Sequence, residues 1–308
     1  MKKYVIGHKN PDTDSVVSSI AFSFYLKKGG IDAEPIIPGK INRETEFILK
    51  YLKVKIPKLF KKAPINSGFY LVDHSGLGRS ILGMKEDSIL GVVDHHKMGG
   101  LNTIVPILYR CETVGSTSTV ITKMFKEKNW IINKKIASLL LSGIISDTLN
   151  LTSVTTTDDD RKILRELALK SGVDVKKFSQ QMFEAKSDIS GMGLKKILLS
   201  DYKEYVHNKK KIGMGVWETV VTEVFNKKEE DILKTLRKIK IEKKLDFLFF
   251  GLVNIFKKNT IFYIIDESEF LVAKKAFKLK NKKLQNAILM KGVTSRKKQI
   301  LPFILKSI

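Results

Sequence analysis

The chain has 308 residues, room for one large core or two smaller ones, and ordinary domain sizes favour two. Its 43% hydrophobic content fits a folded soluble protein. The three apolar residues after the opening lysines fall far short of a signal-peptide core, and the longest apolar stretches fall short of a bilayer span. A single cysteine, Cys111, excludes an intramolecular disulfide and a thiolate-rich metal site. The expectation left standing is a cytoplasmic enzyme or binding protein with no membrane partner. A formal net charge of +24 attracts any polyanion. Most of that excess is lysine spread along the chain, while arginine, the side chain suited to bidentate phosphate and base contacts, is scarce. By itself the charge therefore reads as a solvated lysine-rich surface.

In chain order, Tyr4-Val5-Ile6 is a short strand and GHKNPDTDS (7–15) a polar loop. Val16, Val17, Ile20, Ala21, Phe24 and Tyr25 then recur at helical spacing until Gly29-Gly30. Phe69-Tyr70-Leu71-Val72 runs into Asp73-His74, and Ile89-Leu90-Gly91-Val92-Val93 runs into Asp94-His95-His96. Leu139 to Ile145 runs into Ser146-Asp147, and periodicity does not decide whether it is strand or buried helix. Asp158 to Gly172 is a charged helical segment, and the Ser, Gly and Asp of Lys186 to Gly193 mark a linker. Beyond it, the strand-like runs Lys211 to Trp217, Phe247 to Val253 and Ile261 to Ile265 alternate with lysine-rich helices. The expected division is residues 1–187, a linker at 188–193, and a second domain at 194–308.

Apolar segments repeatedly end where aspartates and histidines begin. In open α/β sheets ligands bind outside the carboxyl ends of the strands. If the strands are parallel, His8, Asp12, Asp14, Asp73, His95 and Asp147 converge on one such edge. Singly, each has a plain explanation: Asp12 or Ser15 caps the following helix, and His74 or His96 is a satisfied loop histidine. Four of the five histidines, however, fall in these motifs, which capping does not account for. Mixed His and Asp donors without cysteine suit hard or borderline divalent ions such as Mn²⁺, Co²⁺ or Mg²⁺. Six donors exceed the needs of one catalytic ion; they suffice for two ions about 3.5 to 4 Å apart that share a carboxylate and a nucleophilic hydroxide.

GHKNPDTDS, LVDHSG, GVVDHHKMGG, ETVGSTST and SGIISDT followed by TTTDDD resemble, in order, the motifs of the DHH phosphoesterase superfamily. KGVTSRKKQILPFI resembles the C-terminal signature of the family II, manganese-dependent inorganic pyrophosphatases, so the resemblance spans essentially the whole chain. It implies an α/β fold: an N-terminal DHH domain with a mainly parallel sheet flanked by helices, a smaller C-terminal α/β domain of DHHA2 type, and the active site between them. It further implies that His8, Asp12, Asp14, Asp73, His95 and Asp147 are metal ligands, with Asp73 the bridge. His8 and Asp12 would serve one ion and Asp14 the other. His96 would face the substrate as a proton donor, and Lys203, Arg296 and Lys297 would hold phosphates and close over them. The implied cofactors are two Mn²⁺ ions, replaceable by Co²⁺, with a further Mg²⁺ arriving with pyrophosphate. A homodimer through the N-terminal domain is implied too.

The chain departs from the family pattern at Ser75-Gly76, Lys97 and Val154, none a proposed ligand. Asp94-His95-His96 and Ser146-Asp147 stand too close for the regulatory nucleotide-binding insertion of some relatives. An exopolyphosphatase, or an oligonucleotide or cyclic-dinucleotide phosphodiesterase, would share the six donors and is the alternative. The second of these usually carries a glycine-rich Gly-Gly-Gly-His-like word, which this C-terminal half lacks. A non-catalytic nucleic-acid-binding protein would show damaged ligands and interleaved aromatic and basic residues; all six donors are present and no such stacking motif is found.

Overall fold

Tyr4, Val5 and Ile6 are buried because the strand they belong to, β1 (Lys2–Ile6), lies inside a six-stranded sheet with both faces covered. The computed structural model describes the chain except residues 221, 223, 224, 226, 227, 255, 256 and 280–285 and the side chains of 297 and 298. It divides into two units, Met1–Lys186 and Ser187–Ile308.

The first unit adds β2 (Glu34–Ile37), β3 (Lys58–Leu59), β4 (Ser67–Val72), β5 (Ile89–Asp94) and β6 (Leu108–Cys111) in the order β3-β2-β1-β4-β5-β6. Every pairing is parallel. The chain winds outward from β1 to β3, then returns to the other side of β1 with β4, so the switch point of the sheet lies between β1 and β4. Helix α1 (Thr13–Lys28) follows β1, and α2 (Arg43–Tyr51) follows β2. After β6 come α3 (Thr117–Glu127), α4 (Lys134–Asp147), α5 (Asp158–Ser171) and α6 (Val175–Ser187).

The apolar run 139–145 is helical, inside α4, which Asn133 caps by accepting from the Ile136 N–H. Residues Ile136 through Ser146 are all buried, since α4 packs against α1, α3 and α5. A helix covered on all sides has no polar face, so the sequence offers no period to read. Asp147 consequently reaches the sheet edge from the carboxyl end of a helix, whereas Asp14 comes from the first turn of α1 and the other donors from strand ends or the loop after β1.

The second unit has β7 (Asp201–His207), β8 (Lys210–Thr219), β9 (Phe247–Asn254), β10 (Asn259–Tyr263) and β11 (Ala287–Lys291) in the order β11-β10-β9-β8-β7. Only β8 and β9 pair in parallel. One sheet face packs on α7 (Leu194–Leu198) and α8 (Glu229–Glu242) through Ile197, Leu233, Leu236, Phe250 and Leu252. The other packs on α9 (Glu267–Phe277) and α10 (Leu301–Leu305) through Phe249, Phe262, Phe270 and Ile304. In α8 the buried Ile232, Leu233, Leu236 and Ile239 recur at helical spacing, while Lys234, Arg237 and Lys238 face solvent. Lysine excess here sits on a solvated face. Among the described residues no helix is long and apolar enough to cross a membrane.

Candidate metal centre

Three neighbouring strands deliver the first donors. β1 ends at Ile6 and leads through Gly7 to His8; β4 ends at Val72 and leads to Asp73; β5 ends at Asp94 and leads to His95 and His96. The Asp73 N–H donates to Val93 O at 3.0 Å, extending the parallel ladder one residue past β4. Asp73 then takes φ 63°, a left-handed conformation that turns the chain and that aspartate adopts more readily than bulkier residues.

Both inward imidazoles are held by the nitrogen that points away from the cluster. His8 Nδ1 donates to Lys9 O at 2.7 Å and His95 Nδ1 to Val114 O at 3.0 Å, which directs each Nε2 inward. His8 Nε2 lies 3.3 Å from both Asp12 Oδ2 and Asp73 Oδ2. His95 Nε2 lies 3.3 Å from Asp73 Oδ1 and 3.5 Å from Asp147 Oδ2. His96 is the most open of the three: its Nδ1 donates to Asp94 Oδ1 at 3.0 Å, with Asp73 Oδ1 at 3.6 Å.

The carboxylates divide by how they are stabilised. Asp12 caps α1, its Oδ1 accepting from the Ser15 N–H at 3.0 Å, and turns Oδ2 toward His8. The capping and donor readings of Asp12 thus describe two oxygens of one group. Asp14, fully buried, sits against the start of α3: Oδ2 accepts from the Thr117 N–H at 2.7 Å and Oδ1 from the Ser118 N–H at 3.1 Å. The positive end of that helix favours a carboxylate there. A Cβ on Gly143 of α4 would lie 2.4 Å from Asp14 Oδ1 and 2.2 Å from Ser118 Oγ, so only glycine lets α4 approach this closely. Asp73 Oδ1 accepts from Thr117 Oγ1 at 3.0 Å.

Burial and like charge act on this cluster together. Burial first, then the Asp73 charge, pushes the Asp14 carboxyl up to about 6, and burial with the Asp14 charge raises Asp147 well above the usual carboxylate range. Burial alone would lower the two inward histidines, but the carboxylates around them dominate: His8 rises to about 10 and His95 to about 12. Asp73 is held low against its burial by those same imidazoles. A nest of carboxylates is therefore drawing positive charge from whatever is nearest.

Three overlapping sets of donor atoms result, each within 4.8 Å: His8, Asp12 and Asp73; Asp14, Asp73, His95 and Asp147; and Asp73, His95 and His96. Asp73 belongs to all three. Two inward atoms, Asp73 Oδ2 and His95 Nε2, are buried with only the 3.3 to 3.5 Å approaches given above and no hydrogen bond of proper geometry among the described residues. Buried polar atoms without good hydrogen bonds are rare and costly, and divalent cations held by these donor sets would satisfy them. The residues present fit such an ion.

The second unit holds the remaining predicted residues. Lys203 lies exposed in β7, paired across the ladder with Met214. Arg296, at the start of a π-helical turn (Arg296–Ile300), is mostly buried; its guanidinium donates to Asp201 O at 2.6 Å and pairs with Asp201 Oδ1 at 2.8 Å. The Lys297 side chain lies outside the described residues.

Several contributors escape a reading of the sequence that looks for ligands. Asp94 Oδ1 accepts from the His95 and His96 N–H groups as well as from the His96 ring, so it fixes the turn that presents both histidines. Asp160 accepts from the Gly115 N–H, Thr119 Oγ1 and Thr157 and so clasps the loop before α3. The signal was present in Gly115-Ser-Thr-Ser-Thr, since a serine after glycine at a helix start reads as a cap, and Ser116 does cap α3. What that start binds is visible only in three dimensions.

Two family models match the chain in order: DHH family, N-terminal domain, over residues 2–144, and DHHA2 domain, over residues 180–307. The manganese-dependent inorganic pyrophosphatase of Bacillus subtilis is 36% identical over 304 residues, 98% of this chain and 97% of that protein. A solved Methanococcus jannaschii structure, described as a candidate family II inorganic pyrophosphatase, is 35% identical with TM-score 0.66 and covers 99% of both chains. An exopolyphosphatase-related protein from Bacteroides fragilis, 17% identical with TM-score 0.51 and matched over 99% of this chain and 92% of its own, shares the fold. With both domains matched in order and more than a third of its residues identical over nearly full length, the chain belongs to the family of manganese-dependent inorganic pyrophosphatases.

Proposed function

We propose that the protein hydrolyses inorganic pyrophosphate to two orthophosphates at the carboxyl edge of the first sheet. The observation that carries this is the shared position of Asp73, one carboxylate common to a His8–Asp12 set and an Asp14–His95–Asp147 set. In this reading His8, Asp12, Asp14, Asp73, His95 and Asp147 hold two Mn²⁺ ions, with Co²⁺ able to replace them and Mg²⁺ accompanying the substrate. Bound there, such ions supply Lewis acidity and lower the pKa of water. The chain's own groups do the rest. Nδ1–H donation to Lys9 O and Val114 O keeps the His8 and His95 Nε2 lone pairs inward. Asp94 similarly occupies His96 Nδ1, leaving Nε2 to give a proton to the departing phosphate as water adds to phosphorus and the bridging P–O bond breaks. Arg296, Lys203 and Lys297 are assigned to phosphate oxygens. The salt bridge to Asp201 supports this for Arg296, because it orients a guanidinium that would otherwise be a mobile chain. A homodimer through the N-terminal domain and a cytoplasmic location complete the reading.

The test is phosphate release from pyrophosphate, tripolyphosphate and pApA after preincubation with Mn²⁺, Co²⁺, Zn²⁺ or Mg²⁺. Pyrophosphate turnover after Mn²⁺ or Co²⁺ is expected to exceed the other combinations. A preference for tripolyphosphate or pApA overturns the assignment.

A further inference from the structure

We infer that Glu44 is a positioning residue for the metal centre, tying together two of the segments that carry its donors; this rests on the metal-dependent reading above. Glu44 lies in the first turn of α2, where Asn42 caps the helix by accepting from the Thr45 N–H, and its side chain is 1% exposed. Its Oε2 accepts from Thr13 Oγ1 at 3.0 Å and from Ser146 Oγ at 2.9 Å. Thr13 stands between Asp12 and Asp14, and Ser146 immediately precedes Asp147. Thr13 and Ser146 are themselves buried, so neither hydroxyl has ready access to water as a substitute acceptor. One carboxylate oxygen thus joins the start of α1, which carries Asp12 and Asp14, to the end of α4, which carries Asp147.

The surroundings keep that carboxylate in place. The N-terminus of α2 favours negative charge, and Lys186 Nζ approaches Oε2 to 3.9 Å. Thr45 Oγ1 lies 3.1 Å from Thr13 Oγ1 and donates to Asn42 Oδ1, extending the contact into the cap of α2. No donor atom of the three sets belongs to Glu44. Its effect is exerted through Thr13 and Ser146, in the way that outer partners orient ligands and tune affinity.

The experiment uses the full chain stripped of metal, with free Mn²⁺ followed by electron paramagnetic resonance during titration and thermal unfolding recorded for the metal-free form. Glu44→Ala removes the acceptor, and its Mn²⁺ dissociation constant is expected to rise roughly 10- to 100-fold, the usual cost of losing such a partner. Glu44→Gln keeps an acceptor oxygen in the same place and is expected to recover most of that loss. Ser146→Ala should weaken Mn²⁺ binding in the parent but add little in the Glu44→Ala background, because both changes break one contact. The inference is overturned if Glu44→Ala unfolds earlier yet binds Mn²⁺ like the parent, or if the Glu44 and Ser146 effects simply add. If the parent binds no Mn²⁺, the metal-dependent reading itself fails, an outcome distinct from either.

Discussion

The interiors of the two units are built on opposite terms. The carboxyl edge of the first sheet buries Asp14, Asp73, Asp94, Glu44 and Asp160 among hydroxyls from Thr13, Ser15, Thr117, Ser118 and Thr119. The second sheet is lined on its two faces by Phe249, Phe250, Phe262, Phe270 and their aliphatic neighbours. Among its described residues it keeps one buried acid, Glu269, which is answered locally by the Leu248 N–H at 3.0 Å and Lys240 Nζ at 2.6 Å. In the first unit some acids are answered the same way, Asp14 and Asp160 by N–H and hydroxyl donors, but the buried Asp73 Oδ2 is met only by the His8 imidazole, at 3.3 Å and without hydrogen-bond geometry. The described acid of the second interior is answered by its own side chains and backbone, whereas the clustered acids of the first offer a place for a cation.

The largest expected effect is at the group common to all three donor sets. Asp73→Asn suits the left-handed backbone and can still accept from Thr117, so the fold should persist. The charge that two ions would share is gone. Mn²⁺ retention after gel filtration should fall by more than the roughly 100-fold that losing an outer partner costs, and pyrophosphate hydrolysis should fall with it. Metal retention equal to the parent's would break the comparison at its centre.

A core truncation in the second unit should do the reverse. Phe249 is fully buried and stacks on Phe262 with ring centroids 5.5 Å apart. Phe249→Ala should cost about 3 to 5 kcal/mol of stability, through lost burial and an unfilled cavity. Mn²⁺ affinity, measured on the folded variant, should be unchanged. Denaturant unfolding gives the first quantity and metal titration the second; a variant that stays stable but loses metal would erase the distinction drawn between the units.

How far this contrast could be read beforehand depends on the kind of contact. Apolar runs of the first unit, such as Phe69 to Val72 and Ile89 to Val93, end in charged residues at the strand boundary, so the sequence itself marks the sheet edge. In the second unit the expected alternation holds only in part: β7 and β8, and β9 and β10, are neighbouring antiparallel strands with no named helix between them, and β7 and β11 lie outside the three strand-like runs of the sequence. The run 139–145 did not declare its type, because complete burial removes the polar face that gives a helix its period. Glu44, Asp94 and Asp160 were not legible as parts of the site. Asp94 acts through the N–H groups of the next two residues, a turn whose purpose shows only once the site is assembled, while Glu44 stands 102 positions from Ser146 in the chain. The six donors fall in motif-sized pieces; of their supports, Asp94 acts on the two histidines next to it in sequence, whereas the Glu44 contacts and the Asp160 contact to Gly115 exist only through tertiary packing.

The smallest expected effect concerns pH, and it separates the units by window. Without metal, His8 at about 10 and His95 at about 12 sit above their unfolded value of 6.5. Their contribution to stability is therefore complete below pH 6.5 and is lost as pH rises through 10. Asp14, raised to about 6, favours its protonated form when folded, so its contribution is present below pH 3.8 and is lost as pH rises through 6. In the second unit Glu269, raised by burial and the neighbouring Asp266 to about 7, loses its contribution between pH 4.5 and 7. Between pH 7.5 and 9 the decline belongs to the first unit. The chain has two tryptophans, Trp130 in the first unit and Trp217 in the second. In Trp217→Phe, with Trp130 as reporter, the metal-free unfolding midpoint should fall from pH 7.5 to 9; in Trp130→Phe, with Trp217 as reporter, it should stay level. Added Mn²⁺ should reverse the first trend, because the ion needs both imidazoles neutral and binds more tightly as they lose protons. A metal-free midpoint that is flat for Trp130, or that falls equally for both reporters, would mean that the imidazolium–carboxylate contacts do not set the stability of the unliganded edge.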